Sequence, residues 1–321
     1  MANTAVVSGL TGQDGSYLAE MLLDRGYKVY GIIRRSSRGL DLGCARGLEG
    51  HKKLEVVEGD LLDLSGLSRL CKTARPDLFF NLASQSHVGT SFEQPVYTAE
   101  CTGIGVLNCL EAIRLSGIHT RFYQASTSEL YGGMTGEPQG EDSRFHPRSP
   151  YGCAKLYGYW ITVNYRESYK MFTCNGILFN HESERRGPNF VTRKITLATA
   201  AIKSGKQEKL FLGNLDARRD WGYAPDFCEG MIRMVEAAQP DDYVLGTGES
   251  HSVREFCQLA FSRAELGDYS EYVEIDPRFY RPAEVDVLLA DYSKAEAELG
   301  WKPTTTFKQL VHKMVDYDLG V

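Results

Sequence analysis

Four side chains near the middle of the chain have the types and spacing of an acid/base set: the hydroxyl of Thr127, the carboxylate of Glu129, the phenol of Tyr151 and the ammonium of Lys155. A phenol with its ordinary pKa near ~10 is a poor base at neutral pH, but a neighbouring ammonium favours the phenolate. Tyr151 and Lys155 are four apart, so on a helix they share one face, a turn apart. The pair can then take the proton of a hydroxyl whose carbon passes hydride to a nicotinamide, with Thr127 holding the same oxygen. Simple alcohol oxidation does not need Glu129, so that carboxylate points to an additional step.

The segments around these groups read as a device for placing a dinucleotide beside them. Residues 4–8 form a short apolar strand, and 16–25 form a helix in which Leu18, Met21 and Leu22 recur at i, i+3, i+4. Between them, Gly9, Gly12 and Gly15 let the backbone approach a pyrophosphate and direct it at the helix N-terminus. The next strand, 27–33, ends in Arg34, Arg35, Ser36 and Ser37. Arginine where a carboxylate would hold a ribose 2′-hydroxyl argues for NADP over NAD. Further strands over 54–58, 78–82 and 120–125 run into Gly59-Asp60-Leu61, Ala83-Ser84-Gln85-Ser86-His87 and Ser126 to Glu129. Helical spacing fills 62–75 and 96–116, Pro147 and Pro150 close a loop before a helix starting near Tyr151, and a sixth strand covers 172–179.

Strand and helix alternating at this period predict an α/β fold: a doubly wound parallel sheet of Rossmann type, with ligands outside the carboxyl ends of the strands. After 179 the alternation is lost. His181, Arg185, Arg186, Arg193, Lys194, Arg218 and Arg219 then form a basic stretch suited to a diphosphate. The expected division is a dinucleotide-binding domain of 1–178 plus about 217–247, and a smaller, interleaved α/β substrate-binding lobe of about 179–216 plus 248–321.

Longer stretches from one end of the chain to the other are more selective than the glycine turn or the Tyr/Lys pair. SGLTGQDGSYLAE (8–20), RRSS (34–37), NLASQSHV (81–88), FYQASTSELYG (122–132), PRSPYGCAKLYGYWITVNYRE (147–167), GILFNHESERRG (176–187), LGNLDARRDWG (212–222), YRPAEVD (280–286) and LGWKP (299–303) resemble the GDP-mannose 4,6-dehydratases, a group of the extended short-chain dehydrogenase/reductase family. The resemblance implies an NADP-dependent hydro-lyase that makes GDP-4-keto-6-deoxymannose, a precursor of GDP-fucose and GDP-rhamnose type sugars. Oxidation at C4 acidifies the C5 hydrogen; Glu129 would remove it and, as an acid, protonate the departing C6 hydroxyl, after which hydride returns to C6.

Thr127, Glu129, Tyr151 and Lys155 fall on the catalytic positions of that family. To the cofactor the resemblance assigns Gly9, Thr11, Gly12, Gln13, Asp14, Gly15, Arg34, Arg35, Ser36, Ser37, Asp60, Leu61, Leu82, Ala83, Ser84, Gln85, Ser86 and Tyr97, together with Tyr151 and Lys155, and it puts His181 and Arg186 on the nicotinamide side. To the sugar nucleotide it assigns Ser86, Thr127, Glu129, Tyr151, Asn180, Lys194, Arg219, Arg281 and Glu284. It also implies a homo-oligomer, dimer or tetramer. Two departures stand out: Ser8 replaces the usual threonine, and the segment 38–53, which in the family joins subunit packing, is shorter.

The formal charge of −6 gives no general attraction for nucleic acid or an anionic membrane. No run approaches the ~18–20 apolar residues of a spanning helix, and no basic leader precedes the first apolar run, so a cytoplasmic protein is expected. Eight cysteines without a CxxC pair predict inert thiols. HESER at 181–185 has Arg where a zinc helix needs its second His, so no metal is expected. The rival readings are an NADP-dependent sugar-nucleotide 4-epimerase or 4-keto reductase of the same fold, for which Glu129 has no task, a dehydratase of a GDP-heptose, and a binding module without catalysis, which would break the Thr, Tyr or Lys.

Overall fold

The computed structural model describes residues 3–37, 39–133, 137–279 and 287–321. Strands β1 (Thr4–Ser8), β2 (Lys28–Ile33), β3 (Leu54–Glu58), β4 (Leu78–Asn81), β5 (Arg121–Ala125) and β6 (Thr173–Leu178) follow one another in the central sheet. The chain then leaves it for the short strands β7 (Asn180–Glu182), β8 (Leu210–Leu212), β9 (Arg218–Arg219) and β10 (Trp221–Tyr223), and β11 (Tyr243–Leu245) returns beside β6. The result is a seven-stranded parallel sheet in the spatial order β3-β2-β1-β4-β5-β6-β11. The strand order reverses between β1 and β4, which opens the ligand crevice at their carboxyl ends.

Helices cover both faces, so the central strands read as apolar runs rather than as alternating ones. Ala5 and Val7 of β1 point to the face covered by α1 (Gln13–Asp24), while Val6 points to the face of α2 (Leu64–Ala74). The same alternation sends Phe80 and Tyr123 one way and Phe79 and Phe122 the other, each a tilted ring pair 5.6–5.8 Å apart. Each such ring, fully buried, contributes roughly 2–3 kcal/mol.

The expected helix over 96–116 is interrupted. After α3 (Val88–Glu93), α4 (Pro95–Ala99) passes through a π-helical turn at Glu100–Ile104 into α5 (Gly105–Ser116). The wide turn brings Gly103 against α6 (Pro150–Tyr169), where a Cβ would lie 3.4 Å from Tyr157 and 3.5 Å from the Ala154 carbonyl. It also aims the Thr102 hydroxyl at the Gln85 amide, 3.1 Å away.

The second part of the molecule is made of small strand pairs: β7 with β10, β9 with β12 (His251–Ser252), and β8 with β13 (Val273–Ile275). Helices α7 (Val191–Lys203), α9 (Val253–Arg263) and α11 (Phe307–Leu319) enclose their own core around Trp221, Phe256 and Phe307. Residues 251–252 pair with β9, and the helix begins at Val253 because Ser252 and Glu255 close a capping box there. Helices α8 (Ala224–Glu236) and α10 (Ser293–Leu299) pack back on the sheet, with the buried Trp301 indole donating to the Asp226 carbonyl at 2.8 Å. Among the described residues no helix is long and apolar enough to cross a membrane, and no group of metal-ligating side chains forms. The eight cysteines are free; Cys153, on α6, is exposed.

Candidate active site

Three of the four central groups are set by two helix starts that meet at the end of β5. Thr127 is extended (φ −159°, ψ 148°) and caps a 3₁₀ turn over Ser128–Leu130 by accepting the Glu129 amide at 3.2 Å. Across from it, Ser149 caps α6 by accepting the Gly152 amide at 3.0 Å, and Pro150 supplies the first helical residue. Tyr151 and Lys155 therefore stand in the first two turns of a well-started helix. Gly152 makes the meeting possible, since a Cβ there would sit 3.0 Å from Pro147 and 3.2 Å from the Glu129 carbonyl.

In this arrangement the Thr127 hydroxyl lies beside the Tyr151 phenol, both side chains being buried, with Glu129 half-buried next to them. Lys155 is buried too. Its ammonium donates to the Ala125 carbonyl at 2.7 Å and lies 5.7 Å from the centre of the Tyr151 ring. Burial pushes the Tyr151 phenol above its ordinary value; the Thr127 hydroxyl opposes this, the Glu129 carboxylate adds to it, and the Arg186 guanidinium opposes it again. Burial pulls the Lys155 ammonium down to about 8, so it remains mostly charged at neutral pH.

On the cofactor side, Gly9 has φ +77°, and a Cβ on it would lie 3.0 Å from the Ala83 nitrogen, so the ends of β1 and β4 meet there. A Cβ on Gly15 would lie 2.1 Å from the Gly9 carbonyl oxygen, while Gly12 caps α1 without a side-chain bond. This is a cradle that only glycines form, open at a helix N-terminus, and it fits a dinucleotide pyrophosphate. Gln13, Asp14 and His181 are brought together behind it. Gln13 donates to Asp14 at 3.0 Å and to the His181 carbonyl at 3.1 Å, while the His181 ring bridges Asp14 (2.9 Å) and the Phe179 carbonyl (2.8 Å). Both ring partners are acceptors, so the imidazole is held as a cation. The His181 value is raised by Asp14 against the opposing effect of burial, and Asp14 is lowered to about 2 by His181 against the same burial.

Arg34 donates to the Tyr97 hydroxyl at 2.6 Å, joining the RRSS loop to α4, whereas Arg35 is largely exposed with Glu58 3.7 Å away. Ser36, Ser37, Asp60 and Ser86 are exposed, Leu61 is buried, and Thr11, Leu82, Ala83 and Ser84 are half-buried along the crevice. Gln85 turns its side chain inward to His87 and Thr98 and so shapes its own loop.

The basic stretch divides. Arg185 binds Ser16 and Glu20, Arg193 pairs with Asp318 in the small core, and Arg218 donates to the Ser250 carbonyl. These three have structural partners. Arg186 pairs with buried Glu182 at 3.1 Å and lies over the Phe190 ring at 3.6 Å, Lys194 lies over Phe279 at 3.7 Å with a bond to the Phe211 carbonyl, and buried Arg219 donates to the Arg218 carbonyl. Asn180 opens β7 opposite Trp221. Arg281 and Glu284 lie outside the described residues.

Sequence reasoning gave no task to four buried polar residues. Ser8, Asn81 and Gln124 sit at strand ends, and Asp220 accepts from Thr247, Gly248 and Ala290. The available signal was a polar residue closing an otherwise apolar strand, as in LFFN (78–81) and RFYQA (121–125).

The sequence profile of the family described as GDP-mannose 4,6 dehydratase matches residues 6–314. The chain belongs to the GDP-mannose 4,6-dehydratase family. It is 51% identical to GDP-mannose 4,6 dehydratase 1 of Arabidopsis thaliana, covering 98% of this chain and 89% of that one. It is 47% identical to GDP-mannose 4,6 dehydratase of Homo sapiens, covering 99% and 91%. In fold it is similar to a dTDP-glucose 4,6-dehydratase from Streptomyces venezuelae solved with NAD, at a TM-score of 0.87 and 22% identity over 98% of this chain and 96% of that one. In this member of the dehydratase family the Thr127, Glu129, Tyr151 and Lys155 cluster lies at the carboxyl edge of the central parallel sheet.

Proposed function

We propose that the protein converts GDP-mannose to GDP-4-keto-6-deoxymannose and water, as a hydro-lyase that retains NADP through the cycle. The observation that carries this reading is Glu129, half-buried two residues beyond the threonine beside Tyr151 and close enough to act on the phenol's acidity. The chemistry that a bound NADP would supply is an acceptor for the C4 hydride and its donor back to C6. Tyr151 takes the C4 hydroxyl proton while Thr127 holds that oxygen, and the charges of Lys155 and Arg186 stabilise the phenolate against burial. Glu129 removes the C5 proton and delivers it to the C6 hydroxyl, which leaves as water; as hydride returns to C6, the proton held by Tyr151 passes to C5 and the phenolate is restored. Arg34 and Arg35 favour NADP over NAD at the 2′-position. Asn180, Lys194, Arg219, Arg281 and Glu284 hold the GDP-sugar. Exposed Tyr157, Trp160 and Tyr169 on α6, with Val96 and Ile104 beside the π turn, give a homo-oligomer its contact face.

The test is direct. Purified protein incubated with GDP-mannose and no added reductant is expected to yield a product lighter by one water in mass spectrometry. Unchanged substrate mass from protein carrying its NADP would overturn the reading.

A further inference from the structure

A single run of hydrogen bonds crosses the sheet beneath the crevice and ends on the catalytic lysine. The amides of Leu82 and Ala83 both donate to Ser8 Oγ at 3.1 Å. With its acceptor sites occupied, Ser8 Oγ donates to Asn81 Oδ1 at 2.7 Å. Asn81 Nδ2 donates to Gln124 Oε1 at 2.8 Å, and Gln124 Nε2 donates to the Ala125 carbonyl at 2.8 Å. That same oxygen receives Lys155 Nζ at 2.7 Å. Ser8, Asn81, Gln124 and Lys155 are each at least 96% buried, so no water replaces a lost partner cheaply.

The direction of donation admits one arrangement. Turning the Gln124 amide over would face its NH₂ toward that of Asn81 and its oxygen toward a carbonyl, two repulsive contacts at once. The two backbone amides at the end of β4 therefore fix Ser8, which fixes Asn81, which fixes Gln124. Gln124 occupies one acceptor site of the Ala125 carbonyl and leaves the other for the ammonium. Among the described residues this carbonyl is the hydrogen-bond partner of Lys155, so the place of the oxygen is the place of the charge.

We propose that Gln124, oriented by Asn81 and Ser8, is a positioning residue for Lys155: it holds the Ala125 carbonyl, and with it the ammonium, at the distance from Tyr151 that makes the phenol a usable base. The inference rests on the roles given above to Tyr151 and Lys155. The other charged or titratable groups that act on the pair are Glu129 on the turn after β5, Arg186 after β7, Asp14 on α1 and Cys101 in the π turn. None of these belongs to the chain of bonds, so its removal leaves them in place. Losing the chain lets the ammonium recede, raises the phenol's acidity constant in pK terms, and moves the low-pH limb of turnover upward.

The experiment compares pH profiles of kcat for the NADP-loaded wild type with Gln124→Met, which has the length of glutamine and no polar end, and Gln124→Glu. The glutamate keeps an acceptor for Asn81 but, ionised, presents an acceptor where the carbonyl needs a donor. Both variants are expected to shift the limb up by about one pH unit, with an approximately tenfold lower kcat near neutrality and KM for GDP-mannose within about twofold. Lowered melting temperature with an unmoved limb would reduce Gln124 to a structural residue and overturn the proposal. If the methionine variant fails to fold, the near-isosteric glutamate variant decides by the same criterion. A wild type that does not dehydrate GDP-mannose sinks the functional reading instead, so the two failures are distinguishable.

Discussion

The layer where β4, β5 and α6 meet and the region of small strand pairs beyond β6 solve different problems. In the first, the acid/base groups stand on the turn after β5 and on a capped helix, and buried polar atoms between Ser8 and Lys155 are paired in one direction. In the second, strands of two or three residues are gathered by one carboxylate. Asp220 receives the Thr247 amide and hydroxyl at 2.8 Å, the Gly248 amide at 2.9 Å and the Ala290 amide at 3.2 Å, tying β9 and β10 to the turn after β11 and to the segment that follows residue 286. The difference teaches that the Thr127, Tyr151 and Lys155 cluster is fixed by many mutually oriented bonds, whereas the small strand pairs around β9 and β10 hang on few anchors.

The comparison breaks most visibly at Tyr151. Tyr151→Phe is expected to reduce turnover at least ~10³-fold with bound NADP retained, measured by product formation and by cofactor content after gel filtration. Glu129→Gln separates the steps of the same layer. With GDP-mannose it is expected to form NADPH, seen by absorbance, yet to release dehydrated product ~10²–10³-fold more slowly; dehydration at the wild-type rate would remove Glu129 from its role.

Lys155 makes the cost of the catalytic layer measurable. Its ammonium is lowered to about 8 by burial, so its folded-state value lies below the unfolded one. The charged form is thus disfavoured by folding, and stability attached to this group is complete only above the unfolded value near 10.5 and falls away as pH drops through about 8. Lys155→Met should therefore abolish turnover while raising stability at neutral pH by about 1–2 kcal/mol, read from denaturant midpoints.

In the second region, Asp220→Asn is expected to destabilise by about 1–3 kcal/mol, because an amide nitrogen would face backbone N–H donors. The Asp220 carboxyl is raised to about 6 by burial against four hydrogen bonds that lower it. A raised value stabilises the fold fully below the unfolded value of 3.8 and loses that contribution as pH rises through about 6, so the wild type gains stability from this group between neutral pH and pH 5. The variant should lack that gain, seen as a different pH slope of the melting temperature. The smallest effect is expected at the edge of the cofactor site: Arg35→Ala should weaken NADP relative to NAD by roughly tenfold, since this guanidinium is exposed and its ion pair with Glu58, at 3.7 Å, is long.

Much of the first region was legible residue by residue. Gly9, Gly12 and Gly15 announced a turn that a Cβ would fill, and the i, i+4 spacing of Tyr151 and Lys155 survived intact because Ser149 and Pro150 start the helix where the sequence places them. The π turn at 100–104 was not legible, since its apolar spacing differs from that of an ordinary helix only by one residue in register. Nor was the division of the basic stretch: Arg185, Arg193 and Arg218 are alike as letters, and their partners Glu20, Asp318 and Ser250 come from distant parts of the chain.

The sequence by itself determined the alternation of elements, the glycine cradle and the identities of the acid/base groups, because these depend on local periodicity, backbone freedom and side-chain chemistry. Tertiary structure alone decided which buried polar atoms meet. Asn81 and Gln124 lie 43 residues apart and become neighbours only when β4 and β5 pair in register. A hydrogen bond needs a partner at 3 Å in a given direction, and only the packed sheet sets that direction.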